Sequence, residues 1–170
     1  EPIQSEGGDH HFRGEWLQLL RRICDDNDIL LIFDEVQTGM GLSGKTWCCQ
    51  HFNVLPDLLV FGKKAQVCGV MAGPRLDEVK QNVFLVTSRI SSTWGGNFCD
   101  YARSTHFLRI IEQERLVENA RVQGERLLAE LFLILFGGSE LLLLDEPTNH
   151  IDADARTWLL KFLRSYRGAL

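Results

Sequence analysis

Two short apolar runs stand out along the chain, and each stops at charge. Ile29 to Phe33 ends at Asp34-Glu35, and Leu58 to Phe61 ends, after Gly62, at Lys63-Lys64. Aliphatic and β-branched runs of this length, bounded by turn residues, predict strands buried on both faces of a parallel sheet. Ahead of the first run, Trp16, Leu19, Leu20 and Ile23 recur at helical spacing, with Arg21, Arg22, Asp25 and Asp26 suited to the wet side. This pattern predicts an amphipathic helix from Glu15 to Asp26 that covers one face of the sheet and is ended by Asn27-Asp28. Helix followed by strand is the second half of a right-handed crossover unit. Glu1 to Gln4 reads as a strand end and Ser5 to Asp9 as a loop. Gly44 to Phe52 predicts a short helix with Trp47 and Phe52 packed inward, and Val83 to Val86 a further strand. Asp100 to Leu131 is helical throughout, as one helix or as a pair broken near Arg115.

Composition narrows the picture. A chain of 170 residues, 45% hydrophobic, has one domain's worth of core. The formal charge of -5 gives no basic footprint for nucleic acid. No apolar run reaches membrane-spanning length, and the polar, acidic opening residues are unlike a signal peptide. Cys24, Cys48, Cys49, Cys68 and Cys99 form an odd set with no CxxC spacing. Reduced thiols in a cytoplasmic protein are expected, not a disulfide framework or a zinc site. His10-His11 reads as part of a solvated polar loop, so no metal site is expected.

The chemistry sits at the strand ends. Ligands of parallel sheets bind beyond the carboxyl ends of the strands, so Asp34 and Lys63 fall where an acid and an amine face one small molecule. That combination suits pyridoxal phosphate: a lysine forms a Schiff base with the aldehyde carbon, and a carboxylate pairs with the pyridine nitrogen. Spacing alone leaves an ordinary ion pair at the rim of the sheet open. Gln37 to Gly41 supplies a turn in which backbone approaches a ligand closely. Ser91 to Asn97, rich in glycine and hydroxyl donors, suits phosphate oxygens.

Four stretches then fall in a known order. EPIQSEGGD at Glu1–Asp9, FDEVQTG at Phe33–Gly39, FGKK at Phe61–Lys64 and STWGGN at Ser92–Asn97 resemble the class III (ω-) aminotransferases. FGKKAQVCGVMAG and RISSTWGGN look most like the lysine 6-aminotransferase branch, with the 4-aminobutyrate aminotransferases as near relatives. The resemblance implies an α/β fold: residues 1–131 as part of the large domain of the fold type I pyridoxal-phosphate enzymes, with parallel-type strands, covering helices and a linker helix. It implies a catalytic Lys63 carrying the cofactor, Asp34 on the pyridine nitrogen and Gln37 near the ring hydroxyl or the Schiff base. It implies Thr93 on the cofactor phosphate of the other subunit of a homodimer, and Glu6 beside the substrate. The reaction implied moves the ε-amino group of lysine to 2-oxoglutarate, with 4-aminobutyrate or another ω-amino acid as the alternative donor. Ser91 departs from the asparagine expected in the lysine branch. The family's amino-terminal half and carboxyl-terminal domain are not represented, so an internal fragment is expected.

The character changes near Leu131. LLLLDEPTNHIDADARTW at Leu141–Trp158 resembles the Walker B region of ABC-F ATPases, with a strand over Leu141–Leu144 ending at Asp145-Glu146 and a helix over Ala153–Leu163. Residues 132–170 are thus expected to form an ABC-ATPase-like strand-helix tail. No LSGGQ-type signature occurs in the chain, and the one GxxxxGK[ST] match, Gly39–Thr46, lies inside the aminotransferase-like stretch. ATPase activity is therefore not expected. A partial ATP-binding protein or an inactive hybrid remain the alternatives.

Overall fold

A computed structural model describes residues 1–4, 10–90, 96–136 and 160–165. The expected strand at Leu141–Leu144 and the Asp145-Glu146 pair lie outside these residues. Of the helix expected over Ala153–Leu163, residues 160–165 are described, and they are helical.

β1 (Ile3–Gln4) pairs antiparallel with β2 (His10–His11), so the two histidines are strand, not loop. α1 (Gly14–Asp26) follows and ends at Asn27, after which Asp28 takes a positive φ of 55° that turns the chain into β3 (Ile32–Asp34). β4 (Leu58–Phe61) lies parallel to β3, in the register Ile32 to Leu58, Phe33 to Leu59 and Asp34 to Val60. β5 (Gly69–Ala72) returns antiparallel on the other side of β4, giving a three-stranded sheet ordered β3-β4-β5. The described sheet holds no strand before α1, because β1 pairs with β2; the expected crossover unit is not completed within it.

One face of this sheet is closed. Leu17 and Cys24 of α1 pack with Leu31, Phe33, Leu59, Cys49 and Val54, and Phe12, Leu20, Trp47, Phe52 and Phe61 border the cluster. The other face is not: Ile32 is 57% exposed and Val70 44% exposed. The expectation of strands buried on both faces is therefore corrected. Side chains alternate along a strand, so Phe33 enters the α1 core while Ile32 and Asp34 face away from it.

α1 is also rotated from its expected orientation. Trp16, Leu19 and Ile23 are exposed, and Leu17 and Cys24 are buried. Arg21, expected on the wet side, is drawn inward by Asp57. Its guanidinium lies 2.8 Å from Asp57 Oδ2, and Arg75 approaches the same oxygen at 3.6 Å. The same Oδ2 accepts the Leu31 N–H at 2.7 Å. Asp57 thus ties α1, the start of β3 and the turn Pro74–Glu78 together. Burial by itself would raise the Asp57 carboxyl, but the Leu31 amide and the Arg21 and Arg75 charges outweigh it and hold the pKa below the ordinary carboxylate value.

Gly44 to Phe52 forms a single 3-10 turn at Cys48–His51, shorter than the helix expected, with Trp47 and Phe52 packed as foreseen. Val83 to Val86 is a turn, not a strand. The buried Asn82 side chain donates to the Leu76 and Val79 carbonyls and accepts from the Phe84 and Leu85 amides, occupying the groups a ladder would need. α2 (Phe98–Gln113) and α3 (Leu116–Phe136) form the helical pair, broken at Arg115, whose φ is 50°. α3 runs through the expected junction at 131/132 without interruption. Among the described residues no helix is long and apolar enough to cross a membrane.

Candidate functional site

The parallel register of β3 and β4 brings their carboxyl ends to one edge of the sheet. Asp34, exposed at the end of β3, pairs in register with Val60. Its Oδ1 accepts the Val36 N–H at 3.0 Å, a side-chain turn that fixes the carboxylate beside its own backbone. Beyond β4, the chain passes through Gly62 into a 3-10 turn, Lys63–Ala65, closed by Ala65 N–H to Gly62 O at 2.9 Å. Gln66 ends the turn in the left-handed region at φ 58° and donates its side-chain amide to Lys63 O at 2.8 Å. Lys63 is exposed, and among the described residues it forms no ion pair. The edge thus carries a carboxylate and an amine on neighbouring strand ends, on a sheet whose outward face is apolar at Ile32 and Val70.

Two further residues shape this edge, and neither was singled out from the sequence for the role it has. Glu35 is 1% exposed. Its carboxylate accepts the Cys48 N–H at 2.6 Å and the Cys49 N–H at 2.8 Å, and the Thr38 hydroxyl lies 3.5 Å away. The Glu35 amide donates to Val60 O at 2.8 Å and its carbonyl accepts from Gly39 N–H at 2.9 Å. Every polar group of Glu35 is thereby used to hold the end of β3 against β4 and the Cys48 turn. Burial, and next the Glu35 charge, push both the Cys48 and the Cys49 thiols up to about 12. The acid doublet therefore divides its work: Asp34 faces outward and Glu35 anchors. The doublet itself was visible; the division of roles depends on Cys48 and Cys49, more than a dozen residues away.

Lys64 is the second. It is half-buried, and its Nζ donates to the Gln37 carbonyl oxygen. Burial, then the neighbouring Lys63 charge, lowers its pKa from the ordinary lysine value. Gln37, expected near the cofactor, is brought to the same edge through this contact. Two glycines of the turn also serve packing. A Cβ on Gly39 would stand 2.6 Å from the Trp47 ring and 2.8 Å from Glu35 O. Gly41, at φ +95°, leaves room for Val117 of α3. Glu6 and Thr93, the expected substrate and phosphate contacts, lie outside the described residues.

Comparison with known proteins follows the same lines. The family model for aminotransferase class-III matches residues 1–135. The L-lysine-epsilon aminotransferase of Mycobacterium tuberculosis is 57% identical over 131 residues, 77% of this chain and 29% of that protein. The 4-aminobutyrate aminotransferase of Emericella nidulans is 43% identical over 137 residues, 77% of this chain and 26% of that protein. The solved structure of lysine aminotransferase from M. tuberculosis superposes with a TM-score of 0.74 at 53% identity, over 84% of this chain and 33% of that one. The chain thus spans under a third of the length of the curated relatives it matches. Its α/β architecture is part of the fold type I arrangement of the pyridoxal-phosphate-dependent aminotransferases. With the family pattern running from the first residue to residue 135, within the last turn of α3, the chain belongs to the class III aminotransferases.

Proposed function

We propose that this chain is the cofactor-binding portion of a pyridoxal-phosphate-dependent aminotransferase that takes the ε-amino group of L-lysine and passes it to 2-oxoglutarate. The observation that carries the reading is the parallel register of β3 and β4, which sets Asp34 and the Lys63 turn at one edge. The donor set fits the cofactor: an exposed carboxylate for a pyridine nitrogen, an exposed amine for an aldehyde, and an apolar sheet face for a flat ring. When bound, the group supplies a protonated ring that accepts the electrons released as the substrate carbon loses a proton. Lys63 would hold the group through its amine, and that amine, once free, would carry the proton. Asp34 would keep the ring nitrogen protonated by charge pairing. By the family resemblance, Gln37 would meet the ring hydroxyl side, Thr93 the phosphate of a second subunit, and Glu6 the substrate. A homodimer and a cytoplasmic location belong to the same reading. Residues 132–170 are read as an appended ABC-ATPase-like segment without nucleotide chemistry of its own.

Lysine as donor is favoured by the higher identity to the lysine enzyme than to the 4-aminobutyrate enzyme, 57% against 43%. Titration of the chain with pyridoxal phosphate, followed by the absorbance of the lysine-bound cofactor, tests the reading. The band is expected in the parent chain, absent in Lys63→Ala and shifted with weaker binding in Asp34→Asn. Identical spectra in all three discard it. Turnover of lysine, 4-aminobutyrate and ornithine by the same protein then ranks the donors.

A further inference from the structure

Two lysines stand side by side at the site edge, and the structure treats them differently. Lys63 is exposed; Lys64 is half-buried with its ammonium on the Gln37 carbonyl. That bond spans from the turn after β4 to the turn after β3, a separation of 27 residues. It crosses the edge between the two strands whose ends carry Asp34 and Lys63. On the β3 side the turn is already held from within, by Glu35 N–H to Val60 O and Gly39 N–H to Glu35 O. On the β4 side, among the described residues, the backbone of the Lys63–Ala65 turn is closed by local bonds from Gly62 to Gln66. The Lys64 ammonium is thus a side-chain tie between the two turns, in addition to the β3–β4 ladder and the Glu35 amide.

We propose that Lys64 is a positioning residue, whose ammonium straps the turn after Asp34 to the turn that carries Lys63 and so sets the spacing of the two groups that meet the cofactor. The proposal rests on the reading of Lys63 as the cofactor-bearing lysine. A charged donor on a partly desolvated carbonyl is among the stronger neutral-acceptor bonds, because neither partner is well solvated if they separate. The strap also engages the competing amine, whose nitrogen is turned to Gln37 O. Arginine preserves the donor and the charge but is no nucleophile, whereas methionine preserves only the stem.

Two measurements on the same chain test this. Amide exchange in the unliganded protein reads the strap without any cofactor. Lys64→Met is expected to speed exchange over residues 35–41 by about tenfold, as loss of one charged hydrogen bond implies, and Lys64→Arg to return it close to the parent rate. Lys64→Gln, polar but uncharged, serves as the second variant if circular dichroism shows the methionine protein unfolded, and is expected to exchange as fast. Equal exchange in the parent and in the uncharged variant overturns the proposal. Borohydride reduction in the presence of pyridoxal phosphate, with peptide mapping, reads the site. The adduct is expected on Lys63, with about tenfold weaker cofactor binding in Lys64→Met and recovery in Lys64→Arg. An adduct on Lys64 in the parent chain overturns the positioning role while sparing the cofactor reading. No adduct on either lysine discards the cofactor reading, and the positioning role with it, whatever the exchange rates show.

Discussion

The segment from α1 to the Pro74–Glu78 turn and the helical pair α2–α3 both carry apolar residues at regular spacing, yet only the first buries them. In the first, Leu17, Leu31, Phe33, Cys48, Cys49, Val54 and Leu59 are all below a tenth exposed. In the second, Phe98 is 86%, Leu127 67% and Leu133 74% exposed. The buried position on α2 is Ser104, a polar residue. The difference teaches that periodicity specifies an element, whereas burial requires an opposing surface. α1 has the sheet beneath it. α3 meets the rest of the chain at the loop of Gly41 and Gly44, where those glycines make room for Val117 and the Arg121 backbone.

The thiols offer the sharpest way to break this comparison. Cys24, Cys48 and Cys49 are buried in the compact segment, while Cys68 on the site side and Cys99 at the start of α2 are exposed. With Cys48 and Cys49 pushed up to about 12 by burial and by Glu35, their thiolate fraction near neutral pH falls on the order of a thousandfold below that of an ordinary thiol. A disulfide reagent is expected to titrate two thiols at once and the other three only after denaturant is added. Five fast thiols would mean that the compact segment opens as freely as the helices.

Packing comes next. Phe33→Ala removes a ring that is 4% exposed and is expected to cost about 3–5 kcal/mol in denaturant unfolding. Leu127→Ala, at 67% exposed, is expected to change stability by less than about 0.5 kcal/mol. Comparable losses in both variants would show that α3 is held by a surface as complete as that beneath α1.

Where local pattern and tertiary contact agreed, the sequence was readable. The bounds of α1, the two strands ending at Asp34 and before Lys63, and the break at Arg115 all follow from spacing and from residues that interrupt it. The orientation of α1 did not, because Trp16-Leu19-Ile23 and Leu17-Leu20-Cys24 are both spaced as helical stripes. The choice between them is made by Asp57, 36 residues from Arg21, which pulls the arginine side inward. The turn at Asn82 escaped notice because one side chain there replaces a ladder that Val83 to Val86 seemed to promise. At the site, Asp34 and Lys63 were legible as charges at strand ends. Glu35 and Lys64 were legible only as the second members of their doublets, since the carbonyl and amides that define them are supplied by other turns.

The smallest effect expected concerns ion pairs, and it separates the two regions by solvent alone. Asp57 accepts Arg21 and the Leu31 amide where its side chain is 10% exposed and that of Arg21 15%. Asp57→Ala leaves that amide without its acceptor and the Arg21 guanidinium with Asp25 in place of two carboxylates, and is expected to cost about 2–3 kcal/mol. On α3, Arg121 bonds Glu118 and Glu125 with its side chain 45% exposed, geometry that solvent and salt screen. Arg121→Ala is therefore expected to leave the unfolding midpoint within the scatter of repeat measurements. The two also differ in acid. Because the folded Asp57 carboxyl sits below its usual value, the unfolded chain takes up the proton first as pH falls. The contribution of Asp57 is complete above the ordinary carboxylate pKa of 3.8 and is lost as pH drops through the lower folded value. Urea midpoints measured from neutral pH down to that range should fall less steeply for Asp57→Asn than for the parent chain, and identically for Arg121→Ala and the parent. Parallel slopes for all three would place the Arg21–Asp57 pair in solvent, and would remove the electrostatic tie that turns α1 onto the sheet.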